Sequence, residues 1–273
     1  MDVVRGAVCA MLDRRMRGRL TPFEVSDWTA SAVIFAPHPD DETLGCGGVA
    51  CRKIASGAEV RFVFVTDGAA SHAGLASDAL RTVREAEAIE AVRRLGAPAE
   101  AATFLRFPDG AASDHMDAIT KAIKPLLAAW RPQSIFVTHS KDPPADHAAV
   151  NASVRAAVRA FGRPVTVFEY PVWYWYHWPW VRLWGDVPRM WRTTIRQTVR
   201  TLAGLRALSE LNTQAFVGDL LQRKRQALAA HVSQTKRPAG RDDWLILEDL
   251  SRGDFMTRLL VDYEAFTRYE ANT

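Results

Sequence analysis

The 273-residue sequence contains few cysteines, no long apolar run and little net charge. Its three cysteines, Cys9, Cys46 and Cys51, form no Cys-x-x-Cys pair, which excludes a disulfide framework and favours a reducing compartment, the cytoplasm. No segment reaches the roughly 20 apolar residues of a membrane span, and the opening residues do not resemble a signal peptide. Thirty-five basic against 31 acidic residues leave +4, which is too little to predict a nucleic-acid partner.

An apolar fraction of 48% beside 24% charged residues predicts a soluble globular protein. From residue 32 onward, short β-branched runs alternate with segments of helical period. We predict strands at 32–37, 59–66, 103–107, 134–139 and 165–170, and helices at 44–55, 77–95, 113–130, 146–161 and 213–231, with a last helical segment at the C-terminus. The alternation predicts an α/β fold with a Rossmann-like, mostly parallel sheet flanked by helices.

Residues 171–210 interrupt this alternation, and we interpret them as an aromatic and arginine-rich insertion in a single domain that spans residues 1–273. They hold six of the nine tryptophans, and residues 182–206 hold six arginines against one acid, Asp186. Such a composition is typical of segments at a membrane interface. We hypothesise that residues 173–206 contact a membrane surface or stack on a long glycan. The alternative is a hydrophobic flap that makes a homo-oligomer contact.

The densest group of ionisable residues is Pro-His-Pro-Asp-Asp-Glu at 37–42, directly after the first predicted strand. Ligands of open parallel sheets bind outside the carboxyl ends of the strands. Because these groups would repel and desolvate one another without a cation, we expect a divalent metal. His38 and Asp41 can supply one nitrogen and one oxygen ligand, and Asp146-His147 brings a second such pair after the fourth strand. Taken singly, each acid could instead cap a helix.

These motifs resemble the PIG-L/LmbE-like family of zinc-dependent N-acetylglucosaminyl deacetylases. APHPDDETLGCGG resembles the family's first signature, FVFVTDG its second strand and turn, and FPDG at 107–110 its substrate-side loop. Arg84 with Glu87 resembles its Arg-x-x-Glu helix, and DHAAV from Asp146 its second metal motif. Lys224 and the His-x-Ser-Gln at His231 fit its C-terminal element. The resemblance covers roughly residues 32–170 and 224–234.

The resemblance implies that His38, Asp41 and His147 bind zinc and that Asp40 is the general base. Zinc would lower the pKa of water toward roughly 7 and hold the oxyanion, while Asp40 takes the proton and returns it to the departing amine. Ferrous iron suits the same ligands. Asp146 is expected to orient a ligand imidazole. The substrate-binding residues that we expect are Arg84, Asp109, Lys224 and Trp173, although Arg84 could instead form an ion pair with Glu87.

One position departs from the family, because Pro144 stands where its second metal motif carries a histidine that assists the oxyanion or the leaving group. We expect His231 to take that catalytic role in preference to His139 or Lys141, since its spacing of seven from Lys224 places both on one helix face. A surface or capping role is expected for the remaining histidines, His72, His115, His139 and His177.

The glycines of Gly45-Cys46-Gly47-Gly48 lack the dinucleotide-binding spacing, and we expect them to permit close helix packing. The sequence thus predicts a zinc-dependent hydrolase that deacetylates an N-acetylated amino sugar, free or lipid-linked, and releases acetate. We expect it in the cytoplasm or at the inner face of the membrane. Two alternatives remain: an amidase that acts on a sugar conjugate, and a carbohydrate-binding or regulatory protein in which turnover is lost.

Overall fold

A computed structural model of the protein describes residues 2–70, 77–183 and 190–272. Within these ranges the strands are β1 Thr21–Pro22, β2 Ala32–Ala36, β3 Val60–Thr66, β4 Ala102–Phe107, β5 Ser134–Thr138, β6 Val165–Tyr170, β7 Thr213–Phe216 and β8 Tyr263–Ala271. The α-helices are α1 Asp2–Arg17, α2 Val25–Thr29, α3 Asp41–Ala55, α4 Ser77–Leu95, α5 Met116–Trp130, α6 Ala145–Phe161, α7 Met190–Arg200, α8 Ala207–Glu210, α9 Leu221–Leu228, α10 Val232–Thr235 and α11 Asp254–Leu259. Short 3-10 turns occupy Ala99–Ala101, Ala112–His115, Trp173–Trp175, Gly218–Leu220 and Leu247–Gly253.

The strands form one eight-stranded sheet in the order β1-β7-β8-β6-β5-β2-β3-β4. The neighbours from β6 to β4 pair in parallel, whereas β8 runs antiparallel to both β6 and β7. The predicted α/β fold with a mostly parallel sheet is therefore confirmed. Chain order reverses between β2 and β5, because β3 and β4 extend the sheet on one side and β6 on the other. Such a reversal is where open α/β sheets bind their ligands.

Both faces of the central strands are buried. Ala32, Ile34 and Ala36 of β2 pack into one apolar cluster, and the alternate residues Val33 and Phe35 pack into another. Helices α3, α4 and α9 cover the first face, and α5 and α6 cover the second. This double burial explains why the strands appear in the sequence as continuous apolar runs.

Helix α3 approaches the sheet closely, as its glycines predict. A Cβ at Gly45 would lie 2.0 Å from Cδ2 of Tyr170, and one at Gly48 would lie 2.6 Å from Cβ of Val217. The helix is kinked at Cys46, where its backbone leaves helical geometry. After the kink, the amides of Gly48 and Val49 each donate a 2.8 Å hydrogen bond to the carboxylate of Glu264 on β8. A residue of a distant strand thus caps the second half of α3.

Two predictions for the C-terminal third are wrong. No helix spans 213–231, because residues 213–216 form β7, which pairs with β1 and β8, and helix α9 begins only at Leu221. His231 follows α9 and caps α10, so it does not share one helix face with Lys224. The C-terminus contains the predicted helical segment as α11, but it ends in strand β8, which the sequence did not reveal.

The tryptophans of the 171–210 segment are mostly internal. Trp175 and Trp180 are only 4% and 2% exposed, and the guanidinium of Arg258 lies 4.0 and 4.4 Å from their ring centroids. Trp175 and Trp180 are therefore not on a surface that could contact a membrane, because they pack in the core, whereas Trp191 is 43% exposed. The predictions for Trp184, Asp186 and His72 concern positions outside the described residues.

His139 and His177 are also buried, which corrects the surface role expected for them, whereas His115 occupies the N-cap position of α5 without a side-chain capping hydrogen bond. Neither ring nitrogen of His177 has a hydrogen-bond partner, and burial lowers the pKa of this imidazole to about 4. Among the residues that the structure describes, no helix has the length and apolar character needed to cross a bilayer.

Candidate metal centre

Two turns meet at the carboxyl edge of the sheet where chain order reverses. Strand β2 ends at Ala36 and leads through His38 to Asp41, the first residue of α3. Its neighbour β5 ends at Thr138, and the following loop leads to His147 in the first turn of α6. Because β2 and β5 are adjacent and parallel, residues more than a hundred positions apart in the sequence converge here.

The atoms of His38, Asp41 and His147 are spaced as a metal ion requires. Nδ1 of His38 and Nε2 of His147 each lie 3.2 Å from Oδ2 of Asp41, and the two nitrogens lie 3.3 Å apart. Ligand atoms about 2.0–2.1 Å from a tetrahedral zinc ion would be about 3.3 Å from one another. The three predicted ligands therefore fit zinc in spacing and in donor type.

The opposite nitrogen of His38 is held by two carboxylates. Its Nε2 lies 3.2 Å from Oδ2 of Asp146 and 3.1 Å from Oδ1 of Asp109. Burial opposes protonation of His38, but the hydrogen bonds from these carboxylates and from Asp41 outweigh it and raise its pKa. Asp146 also accepts backbone hydrogen bonds of 2.7 Å from Gly110 and 3.1 Å from Ala112. Asp146 thus contacts a candidate ligand imidazole, as predicted, but that imidazole is His38 and not its neighbour in sequence.

Asp142 holds the second imidazole, and sequence reasoning missed it. Its side chain is fully buried, and Oδ2 lies 2.7 Å from Nδ1 of His147. The same carboxylate accepts the backbone N–H groups of Trp173, at 3.2 Å, and Tyr174. A carboxylate on Nδ1 keeps the proton there and leaves the Nε2 lone pair free for a metal.

Asp40 lies beside the three candidate ligands and is not one of them. Its backbone has φ 133°, a conformation that side chains rarely adopt, and the Glu42 carboxylate fixes it by accepting the Asp40 N–H at 2.9 Å. Nη2 of Arg84 lies 3.4 Å from Oδ2 of Asp40. Burial and the nearby Asp41 charge raise the pKa of Asp40 to about 7, although Arg84 opposes the shift. A carboxyl of this kind can both accept and donate a proton near neutral pH.

Arg84 binds the backbone of the turn that carries Asp40. Its guanidinium donates to the carbonyl oxygens of Gly68, at 3.1 Å, and Pro39, in addition to its contact with Asp40. The alternative ion pair with Glu87 does not form, because the Glu87 carboxylate instead accepts two 2.7 Å hydrogen bonds from Ser233. Arg84 therefore positions the turn that carries Asp40.

The substrate-binding prediction for Lys224 is wrong. Its buried ammonium donates to the carbonyl oxygens of Leu44 and Leu259, at 2.9 and 3.0 Å, and to Glu264, at 2.7 Å. All three of its protons have protein acceptors, so none is left for a substrate. Lys224 instead holds the carboxylate that caps the second half of α3.

His231 lies behind the site. The imidazole is fully buried, and its Nε2 lies 2.9 Å from Oε1 of Glu42, the carboxylate that fixes the backbone of Asp40. It therefore contacts the site through Glu42 and is not among the cleft-lining residues. His139 does not line the cleft either. Its Nδ1 accepts the N–H of Lys141 at 3.1 Å, and its ring packs on Tyr174. The structure gives neither imidazole the place of the histidine that Pro144 replaces.

A cleft of about 380 Å³ opens above the three candidate ligands. Its lining includes His38, Asp40, Asp109, Pro144 and Trp173. The volume is within the usual range of small-molecule sites. Three of the four predicted substrate-binding residues thus line this cleft, namely Arg84, Asp109 and Trp173.

Residues 33–158 match the family model described as PIG-L: GlcNAc-PI de-N-acetylase. Three solved structures share the fold. The N,N'-diacetylchitobiose deacetylase of Pyrococcus horikoshii is 18% identical with a TM-score of 0.64, over 97% of this chain and 92% of that chain. A triple mutant of a deacetylase in teicoplanin biosynthesis is 18% identical with a TM-score of 0.61, over 89% and 99% of the two chains. The A40926 pseudoaglycone deacetylase is 19% identical with a TM-score of 0.58, over 89% and 98%.

The matched range contains all three candidate ligands and the three neighbouring carboxylates that hold their imidazoles, those of Asp109, Asp142 and Asp146. Residues 33–158 of the chain thus match a PIG-L domain.

Proposed function

We propose that the protein is a metal-dependent hydrolase that removes the acetyl group from an N-acetylated amino sugar of the N-acetylglucosamine type, free or in a conjugate. The observation that carries this proposal is the arrangement of two imidazole nitrogens and one carboxylate oxygen within 3.3 Å of one another, next to the non-ligand carboxylate of Asp40. The match of residues 33–158 to the family model described as PIG-L: GlcNAc-PI de-N-acetylase supports the amino-sugar substrate.

His38, Asp41 and His147 would hold the ion, for which we propose zinc, with ferrous iron as the alternative. A bound divalent ion supplies Lewis acidity, which polarises an amide carbonyl and acidifies water. Asp40 accepts a proton during attack on the acetamide and returns it to the departing amine. Glu42 and Arg84 keep that carboxylate in place. Asp146 and Asp142 fix the orientation of the two imidazoles.

The cleft accommodates the sugar. Trp173 is half-buried at its edge, and its indole can pack against the apolar face of a pyranose ring. Asp109 presents a carboxylate that can accept hydrogen bonds from sugar hydroxyls. We propose these two residues as the substrate contacts, and Arg84 as a positioning residue.

We also propose that the chain forms one domain, because strands from β1 to β8 enter the same sheet. The cytoplasm is the proposed location, since Cys9, Cys46 and Cys51 are all free thiols.

The test is a screen for amine and acetate release over free, nucleotide-linked and lipid-linked N-acetylglucosamine, with metal content measured by elemental analysis. The zinc-loaded protein should turn over one of these substrates. Asp40→Asn should lower kcat by about 10²–10⁴-fold without a change in metal content. Asp114→Asn, on an exposed aspartate, is the matched control and should remain active. An Asp40→Asn variant with wild-type activity would contradict the assignment.

One observation favours a second candidate, a carbohydrate-binding or regulatory protein. Pro144 lines the cleft and provides no proton donor. If the metal-loaded protein bound amino sugars tightly but released no amine from any of them, this candidate would replace the hydrolase. Cleavage of a larger acyl group or an amide in a conjugate, without deacetylation, would instead identify the protein as a sugar-conjugate amidase.

A further inference from the structure

Helix α7 and the turn after it bury polar side chains and expose apolar ones, which is the reverse of an ordinary surface helix. Their buried side consists of polar residues, namely Thr194, Gln197 and Thr201. Their outer side carries large apolar residues, of which Trp191 is 43% exposed, Val199 70% and Leu202 56%, with Ile195 and Leu205 also exposed. A helix normally turns its apolar side inward, so an outward apolar side indicates a partner that covers it.

One hydrogen bond joins this helix to a neighbouring segment. Oγ1 of Thr198 accepts the backbone N–H of Trp178 at 3.0 Å. This bond attaches α7 to the segment that begins at Trp173, beside the cleft. Oγ1 of Thr201 donates to the carbonyl oxygen of Gln197 at 2.7 Å, which is a local bond one helical turn back along the chain.

The same surface is basic. Arg192, Arg196, Arg200 and Arg206 are exposed between and beside the apolar residues, and the sequence has no acidic residue from 191 to 209. In the part of the chain that the structure describes, none of the four arginines forms an ion pair with a carboxylate. Their charge is thus available to an anionic partner.

We propose that the outer side of residues 191–206 docks onto an anionic lipid bilayer. Apolar side chains flanked by arginines match a bilayer, in which acyl chains lie beneath a layer of negative headgroups, and an indole such as that of Trp191 favours the boundary. A second copy of the chain fits less well, because a two-fold interface at this surface would bring like-charged arginines together. The surface is narrower than the 173–206 segment suggested by the sequence, because the tryptophans before residue 181 are not on it.

Docking would attach the protein to lipid through a helix joined to the rim of the cleft, by way of residues 173–178. This inference does not depend on the proposed hydrolysis, since it concerns partition onto lipid without substrate. The probe is a set of sedimenting vesicles, one of phosphatidylcholine alone and one of phosphatidylcholine and phosphatidylglycerol at 7:3. Binding is measured for the full chain at low and high NaCl.

The expected result is binding to the anionic vesicles that weakens with salt, and little binding to phosphatidylcholine. Arg196→Gln combined with Arg200→Gln should weaken binding by about 25-fold, at about fivefold for each arginine near an anionic surface. The control with the same loss of charge is Arg159→Gln combined with Arg163→Gln, on exposed arginines elsewhere. It should bind within about twofold of the wild type.

Val199→Asp tests the apolar contribution and should weaken binding by at least about tenfold. Val25→Asp is its control, since Val25 is 81% exposed on α2. Circular dichroism of each variant verifies that it is folded. Absence of wild-type binding to anionic vesicles, or an equal loss in the controls, would overturn the proposal. So would a stable dimer that dissociates in Val199→Asp while lipid binding is absent, because a second copy would then cover this surface.

Discussion

Replacement of Asp142 by asparagine tests whether this buried carboxylate prepares His147 for a metal. In the native site its two oxygens serve three donors: Nδ1 of His147 at 2.7 Å and the backbone N–H groups of Trp173 and Tyr174. Asparagine has the same shape but only one acceptor oxygen. If that oxygen faces His147, the N–H of Tyr174 loses its acceptor. If the amide NH₂ faces His147, the imidazole must move its proton to Nε2, which is the atom that faces the metal position.

Either outcome has a calculable cost. One buried donor without a partner destabilises a fold by about 1–3 kcal/mol. Loss of a carboxylate that orients a ligand histidine lowers metal affinity by about 10–100-fold, equivalent to about 1.4–2.7 kcal/mol of binding free energy. We therefore expect Asp142→Asn to fold with reduced stability and to bind zinc at least about tenfold more weakly.

The assay is competition of the metal-free protein with a chromophoric chelator, alongside urea unfolding. Glu87→Gln is the matched control, because Glu87 is a buried carboxylate that accepts two hydrogen bonds from Ser233 and contacts none of the three ligands. It should lose about 1 kcal/mol of unfolding free energy and keep its zinc affinity. A folded Asp142→Asn protein that binds zinc within twofold of the wild type would refute the argument.

Two further predictions concern buried histidines. Because the pKa of His177 is about 4 when folded and 6.5 is its ordinary value, its contribution to stability is fully present above pH 6.5 and is lost as the pH falls toward 4. Between pH 7 and pH 4 the wild type should lose about 3 kcal/mol more unfolding free energy than His177→Phe, as measured by urea unfolding at both pH values. Identical pH dependence in the wild type and the variant would contradict this. His231→Gln should lower kcat through Glu42 and Asp40, by about tenfold, with zinc affinity unchanged, since His231 contacts no metal ligand; equal losses in kcat and zinc affinity would assign it a general structural role.

The elements that could be predicted from the sequence are those whose structure depends on neighbouring residues in the chain. Strands buried on both faces appear as apolar runs, and glycine and proline mark where helices end, so the parallel part of the sheet was predictable. The metal residues were predictable because His38 and Asp41 share the turn after one strand, because His147 lies in the first turn of the helix that follows another, and because these motifs resemble those of the PIG-L/LmbE-like family.

The rest depended on partners that are distant in the sequence. Lys224 and His231 have chemistry suitable for a binding or catalytic role, and only the fold shows that Glu264 and Glu42 already engage them. Asp142 lies in an irregular loop five residues before His147, where no period or motif marks it. Strand β8 was missed because its sequence is neither a continuous apolar run nor a regular alternation of apolar and polar residues, and its partners on both sides are remote.

Strand β8 carries Glu264 and therefore contacts helix α3 as well as its two neighbouring strands. The strand that fills the gap between β6 and β7 also delivers the carboxylate that secures α3, the helix whose first residue is Asp41. The hydrogen bonds of the second half of α3 and the closure of the sheet thus depend on one segment, which lies more than two hundred residues downstream of the metal turn.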